Sequence, residues 1–365
     1  MKDKTIIYSL HRPFHKPLVS VKWVCQYMGK MEKRKKEVIP SSFYSDFFFY
    51  FIDILNKKYN KRKSTDELEG IPPQETIKEV LSHFSGYSHK KKAVFLKNIL
   101  INRESDIDRK VYSTYKATSY YINLAKDKFE LIDKNYKLCV CGKQLASSRS
   151  PFFSLSKTEQ GIIFERILHA DFYMIIPLCL SLKSIKRYKW DIPSIHLHFI
   201  EKVYNINHFK YTQASITKNY DNVRLYWLDS LNVLDKNMNI RKRHLDIILN
   251  NNTYKERYSD VQQDFIRFET DFLIFQNQKI GFNSKLENSY NSIIKKGLHD
   301  QNFVNLYDIK KDFRLSFANF ESMLNSYYES QRKKRLILFS NTVTNIDKRK
   351  RFYVRNKPVI KIKIF

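Results

Sequence analysis

Apolar residues are spaced as on α-helices along most of the chain, as the segment 157–182 illustrates. Ser156, with Glu159 three residues later, has the pattern of a capping box and predicts where that helix begins. Strand signals are short, and the clearest is the alternation of apolar and basic residues within 359–364. The pattern therefore predicts a mainly α fold with short β-hairpins, in the α+β class.

One segment, 43–52, is aromatic on all sides and contains five phenylalanines and two tyrosines. A solvent-facing amphipathic helix would carry a polar face, which this segment lacks. We interpret it as a fully buried helix. The alternative is that Phe43–Ile52 forms an exposed apolar surface that docks a partner protein.

The longest apolar run, 172–182, is interrupted by Pro177 and Ser181. It is shorter than the ~20 residues that a membrane-spanning helix requires, so the sequence predicts a buried helix with a kink. Residues 1–16 lack the apolar stretch and the small-residue cleavage site of a secretory signal. We therefore expect a soluble, cytoplasmic protein with no membrane partner.

An internal repeat with an offset of 102 residues is the most informative pattern. Residues 129–138 have the sequence FELIDKNYKL, and residues 231–240 have the sequence LNVLDKNMNI. Asp-Lys-Asn is turn chemistry, because Asp and Asn side chains bond their own backbone and tolerate left-handed geometry. With aliphatic residues on both sides, each copy predicts a tight β-hairpin.

A helical face precedes each predicted hairpin at the same offsets: Tyr121, Leu124, Ala125 and Phe129 in the first copy, and Val223, Tyr226, Trp227 and Leu231 in the second. A helix followed by a two-stranded wing resembles the winged-helix fold, whose recognition helix enters the major groove of DNA. Gly142, Lys143 and Leu145 also match a step that often follows the prokaryotic wing, although its usual Thr is missing.

A third copy is predicted near the C-terminus. Residues 304–313 have the pattern of a short amphipathic helix, Ser316 is a candidate N-cap, and apolar residues follow at helical spacing from Phe317 to Tyr328. Residues 336–339 and 352–364 then supply strands around a basic tip at 348–351. This arrangement again resembles a helix–turn–helix with a wing.

The resemblance divides the chain into six segments. A helical N-terminal region, 1–70, precedes a winged-helix unit at 71–146, connecting helices at 147–194, a second unit at 195–250, connecting helices at 251–299 and a third unit at 300–365. Tandem winged helices occur in prokaryotic restriction and antiviral defence systems and in plasmid replication initiators. The resemblance thus implies a DNA-binding component of such a system.

Charge narrows the class of partner. The chain has 66 Lys and Arg and 37 Asp and Glu, a net charge of +29. Such a field opposes compaction unless a polyanion offsets it. Apolar residues make up 42% of the chain, which supports a folded core. With only 7 glycines and no glycine-rich phosphate loop, nucleotide-binding folds are disfavoured, and four irregularly spaced cysteines predict no disulfide framework.

The candidate contacts to DNA are cations and polar residues on the predicted recognition helices and wings. They are Arg109, Lys110, Tyr115 and Lys116 in the first unit, Lys218, Tyr220, Arg224, Arg241 and Arg243 in the second, and Lys310, Lys311, Arg314, Asn319, Lys333, Lys334, Lys348, Arg349 and Arg351 in the third. Most would contact phosphate, and Arg or Asn could also read base edges.

Evidence for catalysis is weak. Asp106 with Asp108, Arg109 and Lys110, and Glu269 with Asp271 near Lys279, are the only nuclease-like groupings. Chance accounts for either in a chain this rich in Asp and Lys. Cys139 and Cys141 are interpreted as buried small residues, and His196 and His198 as facing solvent or phosphate. We expect no cofactor and no bound metal.

The sequence therefore predicts a protein that binds duplex DNA and has no enzymatic activity of its own. RNA stays open as the nucleic acid, because charge does not distinguish it from DNA. One alternative is a Mg²⁺-dependent endonuclease that uses winged helices for target recognition. The other is a scaffold subunit of a larger nucleic-acid-processing complex.

Overall fold

The computed structural model describes residues 17–35, 37–62, 70–189, 195–204, 221–332, 337–340, 351–355 and 357–365, with the backbone alone at 274–280, 332 and 338. These residues are mainly helical and carry two small antiparallel sheets. They divide into two compact units, 1–265 and 266–365. The boundary falls within the segment 251–299 that the sequence predicts as connecting helices.

Unit 1, residues 1–265, is built from helices. They are α1 (Val19–Lys33), α2 (Phe43–Tyr59), α3 (Gln74–His83), α4 (His89–Ile101), α5 (Asp106–Asn123, extended by a π-helical turn, Leu124–Lys128), α6 (Val140–Ser147), α7 (Lys157–Tyr188), α8 (Ile195–Tyr204), α9 (Asn222–Ser230), α10 (Lys242–Leu249) and the first part of α11 (Asn252–Lys295).

One side of the aromatic segment lies in the unit 1 core, whereas Tyr44, Phe49 and Tyr50 are half-buried, so the helix is not buried on all sides as predicted. Phe43, Phe47, Phe48 and Phe51 on α2 are completely buried. Trp23 on α1 packs on Phe51 with ring centroids 5.2 Å apart. These four phenylalanine rings contact other side chains of the same chain and are not exposed to a partner protein.

The small-residue stretch 147–151, at the start of the segment predicted as connecting helices, packs against the core. Lys22 on α1 is fully buried, and its Nζ donates to Ser150 Oγ (2.9 Å) and Pro151 O (2.8 Å). The same ammonium lies 3.5 Å from the carboxylate of Glu159 at the start of α7. Burial lowers the pKa of Lys22, and the Glu159 carboxylate opposes that effect.

Helix α7 begins at the predicted capping box. The Glu159 N–H donates to Ser156 Oγ (3.3 Å), and the Ser156 N–H donates to the Glu159 carboxylate (2.5 Å). A kink is present in α7, but its non-helical residue is Asp171 (φ −137°, ψ 26°), just before the predicted run and six residues before Pro177. A proline ring clashes with the carbonyl of the residue four positions earlier, here Tyr173, so Pro177 does not by itself account for the break at Asp171.

The two copies of the repeat have the same backbone structure. Asp133 Oδ1 accepts hydrogen bonds from the N–H groups of residues 135 and 137, both at 2.8 Å. Asp235 Oδ1 accepts from the N–H groups of residues 237 and 239, at 2.8 and 2.9 Å. A helix of eight residues follows each turn, α6 at 140–147 and α10 at 242–249. The offset of 102 residues therefore extends through the helix after the turn.

Neither turn extends into a two-stranded wing. Each contains a single antiparallel bridge, Ile132 to Leu138 in the first copy and Leu234 to Ile240 in the second. Cys139, expected on a wing strand, is instead the N-cap of α6, and both Cys139 and Cys141 are half-buried. A helix that starts this soon after the bridge leaves no chain to continue the second strand.

Unit 2, residues 266–365, surrounds its own hydrophobic core. It comprises the second part of α11, β1 (Val304–Asn305), α12 (Leu306–Lys311), α13 (Phe317–Arg332), β2 (Ile337–Ser340), β3 (Phe352–Val354), β4 (Lys357–Val359) and β5 (Lys361–Ile364). The main sheet has the order β1–β5–β2, and β3 and β4 form a separate hairpin. The predicted C-terminal strands are thus present, while the predicted helix at 304–313 begins with a strand.

The sheet and helices of unit 2 meet through apolar side chains. In the main sheet, Val304 pairs with Ile362, and Phe339 on β2 pairs with the same residue from the other side. Val304 and Ile362 are fully buried together with Phe320 on α13 and Leu286 on α11. The core therefore holds α13 in a defined orientation, which decides which of its residues face outwards.

Candidate nucleic-acid interface

Helix α13 starts at the predicted cap. The Asn319 N–H donates to Ser316 Oγ at 3.2 Å, and the Phe320 N–H donates to Ser316 O at 3.0 Å. Phe320, Met323 and Leu324 on its inner side are at most 1% exposed. The opposite side of the helix is consequently the side available to a partner.

A second side of α13 binds the β3–β4 hairpin through three side chains spaced four residues apart. Glu321 accepts from the Tyr353 N–H at 2.7 Å. Asn325 donates to Tyr353 O at 2.8 Å and accepts from the Arg355 N–H at 3.0 Å. Glu329 pairs with the Arg355 guanidinium at 2.5 and 3.0 Å. Side chains of α13 thus form hydrogen bonds with backbone groups on the outer edge of β3, where a third strand would otherwise pair.

The outward side of α13 carries mostly small, uncharged residues. Ala318, Asn319, Ser322, Ser326 and Ser330 are exposed within an arc of roughly 120°. The exposed Glu329 lies within the same arc, and its carboxylate pairs with Arg355. We call this set the α13 face. Both carboxylates of the helix, Glu321 and Glu329, are engaged by the hairpin. Small side chains allow close approach to a groove, and Asn and Ser can hydrogen-bond to base edges.

Predicted cations lie before α13 in the chain. Arg314 is exposed, and Lys311 is exposed and pairs with Asp308 at 2.8 Å. Lys310 is half-buried, with its ammonium 5.2 Å from the ring centroid of Phe317. Arg351 is half-buried as well. The predicted contacts Lys333, Lys334, Lys348 and Arg349 lie outside the described residues.

Some of the predicted contacts on α5 are exposed, and others are buried or paired with carboxylates. Arg109 and Lys116 are exposed, and the Lys116 ammonium lies 5.5 Å from the ring centroid of Tyr112. Lys110 is held between Glu79 (2.5 Å) and Asp106 (2.9 Å), whose hydrogen bonds raise the pKa of the lysine.

Tyr115 is half-buried against Phe48, with ring centroids 5.5 Å apart, and its burial raises the pKa of the phenol. Tyr115 is packed in this way and Lys110 is paired. Of the predicted DNA contacts on α5, only Arg109 and Lys116 are therefore exposed to solvent.

Two of the DNA contacts predicted in the second repeat, Arg224 and Arg243, bond to groups within the protein instead. Arg224 is 2% exposed and donates two hydrogen bonds to the Asp171 carboxylate, so its assignment to a DNA surface is corrected. Arg243 is half-buried and donates to Leu231 O at 2.7 Å and to Gln160 Oε1 at 2.9 Å. Both guanidiniums satisfy groups within the protein.

Arg241 is exposed and donates to the carbonyl oxygen of Leu234 at 3.1 Å. This bond uses one N–H, so the other N–H donors of the exposed guanidinium are not engaged in it. Lys218 and Tyr220 lie outside the described residues.

One buried polar group was not anticipated. His196, expected to face solvent or phosphate, is 1% exposed, and its Nε2 lies 3.2 Å from Asp221 Oδ1. Asp221 lies 3.8 Å from the guanidinium of Arg224, which continues to Asp171. His198 is exposed, as expected. A histidine next to two apolar neighbours on a helix gives no local signal of which way its ring points.

The nuclease-like groupings have structural roles or unsuitable geometry. Asp108 completes a capping box with Ser105 at the start of α5, and those hydrogen bonds lower the pKa of its carboxyl. Glu269 and Asp271 lie two residues apart on α11, so they point to different sides of the helix. Among the described residues, no three His, Cys, Asp or Glu side chains are placed to share a metal ion.

No protein-family model, curated protein or solved structure matches the chain. Within the described ranges, none of the helices combines the length and the apolar character that crossing a membrane requires.

Proposed function

We propose that the protein binds duplex DNA through unit 2, with the α13 face in the major groove and the β3–β4 hairpin beside it on the phosphate backbone. The observation that carries the proposal is the orientation of α13. Its apolar residues enter the core, its carboxylates bind the hairpin, and its small neutral residues face outwards. A helix of this kind can approach base edges through small side chains, and the pairing of Glu329 with Arg355 offsets the one exposed carboxylate on that side.

The order of elements in unit 2 supports the proposal. In chain order, unit 2 comprises the second part of α11, β1, α12, α13, β2, the β3–β4 hairpin and β5. The main sheet has the strand order β1–β5–β2. This order resembles that of a winged-helix domain, in which the second of the two central helices, the counterpart of α13, is the recognition helix. The hairpin occupies the position of the wing.

The charge of unit 2 also supports an anionic partner. Residues 266–365 include 20 Lys and Arg and 9 Asp and Glu, so more than a third of the net charge lies in little over a quarter of the chain. Most of the acidic side chains are engaged within the unit: Glu287, Asp300, Asp308, Asp312, Glu321 and Glu329. Cations therefore dominate the field that a ligand meets.

A titration of labelled duplex DNA over a range of salt concentrations tests the proposal. Neutralisation of phosphates requires that the logarithm of the binding constant fall steeply with the logarithm of the salt concentration. A duplex RNA of the same sequence serves as the comparison, because its deep, narrow major groove does not admit a helix. Weak binding that hardly depends on salt, or equal binding of both duplexes, contradicts the proposal.

Single substitutions locate the surface. Ser326→Glu places a carboxylate on the α13 face and is expected to weaken duplex binding by about tenfold or more, since like charges brought together cost several kcal/mol. Ser284→Glu makes the same change at an exposed serine on α11 and is the matched control. Equal effects of the two substitutions would place binding away from α13.

A further inference from the structure

Helices α3 and α4 of unit 1 follow one another in the chain, and both pack against α5. A five-residue turn, 84–88, joins them and contains Gly86 at φ +78°, a conformation that favours glycine. Ser88 caps α4 by accepting from the Lys91 N–H at 3.3 Å. The ring of Phe95 on α4 lies 5.4 Å from that of Phe84, which closes the pair. Two helices joined by a short turn with glycine are characteristic of helix–turn–helix motifs.

Helix α4 has one buried side and one unusual exposed side. Leu96 and Ile99 are at most 3% exposed on the inner side. The outer side carries six exposed residues within an arc of roughly 120°, which we call the α4 face: Lys90, Lys91, Val94, Lys97, Asn98 and Ile101. Ile101 is 86% exposed and Val94 is 50% exposed.

The charge of α4 is unfavourable for the isolated helix. Residues 89–101 contain four lysines and no Asp or Glu, and three of those lysines, 90–92, lie in the first turn. The positive end of the helix dipole lies there, so cations at these positions lower helix stability. His89 is the member of that turn that has a carboxylate partner, Asp46 at 3.4 Å. An external anion would offset this unfavourable charge.

The mixture of residue types identifies the anion. Helices that lie on lipid surfaces separate a basic face from an apolar face, whereas Lys and apolar residues alternate on the α4 face. That alternation suits a DNA groove, where Lys contacts phosphate, Asn can pair with adenine, and Val or Ile can contact thymine methyl groups. No carboxylate on α4 repels a polyanion.

We propose that α4 is the recognition helix of a helix–turn–helix formed with α3, and that its α4 face is a second binding surface for duplex DNA. This surface belongs to unit 1 and does not depend on α13 in unit 2. Lys90, Lys91 and Lys97 contact phosphates, and Val94, Asn98 and Ile101 face base edges. The chain then binds DNA through two separate elements.

The first test changes charge in the full-length protein. Lys90→Glu is expected to weaken duplex binding by about tenfold and to lower the slope of log K against log salt by about 1. Its melting temperature should stay equal or rise, because a carboxylate suits the first turn of a helix. Lys157→Glu, at an exposed lysine in the first turn of α7, makes the matched change and should leave binding unaltered.

The second test changes an apolar contact. Val94→Ser should reduce the preference for a selected duplex over random duplex by about fivefold or more, whereas Val140→Ser, at a valine that is 74% exposed on α6, should not. Unchanged duplex binding in both Lys90→Glu and Val94→Ser overturns the proposal. So does loss of binding to phosphatidylserine vesicles without loss of binding to DNA.

The two proposals can fail separately. If α13 does not bind DNA, Ser326→Glu leaves the affinity intact while Lys90→Glu still lowers it. If the α4 face does not bind DNA, the reverse result is found. When both contribute independently, the free-energy effects of Ser326→Glu and Lys90→Glu add in the double variant.

Discussion

The guanidinium of Arg224 donates two hydrogen bonds, 2.6 and 3.2 Å long, to the carboxylate of Asp171 at the kink of α7. The side chains are 2% and 1% exposed. Both belong to the interior of unit 1, where removal of one partner leaves the other charged and buried.

Arg224→Met is therefore expected to lower the free energy of unfolding by about 3–5 kcal/mol, because Asp171 is left unpaired in the core. The double variant Arg224→Met, Asp171→Leu should recover most of that loss, since two apolar groups can replace a buried ion pair. Urea unfolding measured by circular dichroism gives both values.

Arg109→Met, at an exposed arginine on α5, is the control for stability and should change it by less than about 0.5 kcal/mol. A surface role for Arg224 would instead appear as reduced duplex affinity with unchanged unfolding.

Arg224 and Arg109 show where prediction from sequence ends. Both are basic residues on helical segments, and nothing local distinguishes them. The difference is Asp171, which lies 53 residues from Arg224 in sequence and is brought to it by the packing of α7 and α9. Net charge alone predicts that many cations face outwards, but a partner elsewhere in the chain decides which of them do not.

Local signals were predicted well because their physics is local. The Ser156–Glu159 box and the Asp133 turn involve groups within four residues of each other, so their geometry follows from the sequence. The wings predicted at the two repeats are wrong, because the helix after each turn begins just beyond the single bridge, at Val140 and at Lys242, and leaves no chain for a second strand. The α4 face cannot be recognised in the sequence, because Val94 and Ile101 are apolar residues of the kind that usually lie in a core.

Two asparagines on α13 should separate stability from binding. Asn325 holds the backbone of β3 through two hydrogen bonds, whereas the side chain of Asn319 faces outwards. Asn325→Ala should lower the stability of unit 2 by about 1–2 kcal/mol, because two backbone groups lose their partner.

Asn319→Ala should leave stability within about 0.5 kcal/mol of the unmodified protein and reduce discrimination between duplex sequences, as expected for the loss of a base contact. Thermal melting and competition binding distinguish the two effects. If both variants lose stability equally, Asn319 is a structural residue.

His244 should make the stability of the protein depend on pH. The side chain is 1% exposed, and its ring packs edge-to-face on Phe164, with centroids 4.7 Å apart. Burial lowers the pKa of His244 to about 4, and the nearby cations Arg243 and Arg241 contribute. The folded state therefore binds this proton less readily than the unfolded chain, whose histidine titrates near 6.5.

The direction in which stability changes with pH follows from this difference in pKa between the folded and unfolded states. Above pH 6.5 the imidazole is neutral in both the folded and the unfolded state, so it does not change the free energy of unfolding. As the pH falls towards 4, the imidazole is protonated in the unfolded state but stays neutral in the folded state, which favours unfolding. The contribution of His244 to the free energy of unfolding should fall by about 3 kcal/mol over this window. His244→Phe keeps the ring contact and removes the titration, so the difference between the two proteins should grow as the pH is lowered. A constant difference would show that this imidazole is accessible to solvent.

Two helical glycines offer a matched test of packing. A Cβ at Gly142 on α6 would lie 2.2 Å from the carbonyl oxygen of Leu131, whereas a Cβ at Gly281 on α11 would meet no atom of the described residues within 4 Å. Gly142→Ala should lower stability by about 1–3 kcal/mol, because α6 must move away from the turn of the first repeat. Gly281→Ala should raise stability by up to about 1 kcal/mol, since alanine favours a helix where there is room for its methyl group.

Urea unfolding of the two variants measures both effects. Because the substitution is the same, helix propensity cancels in the comparison, and the remaining difference reports the close approach of α6 to residue 131. A stabilised Gly142→Ala would mean that α6 does not pack against the turn, and the equivalence of the two repeats, which includes this helix, would then lose its structural basis.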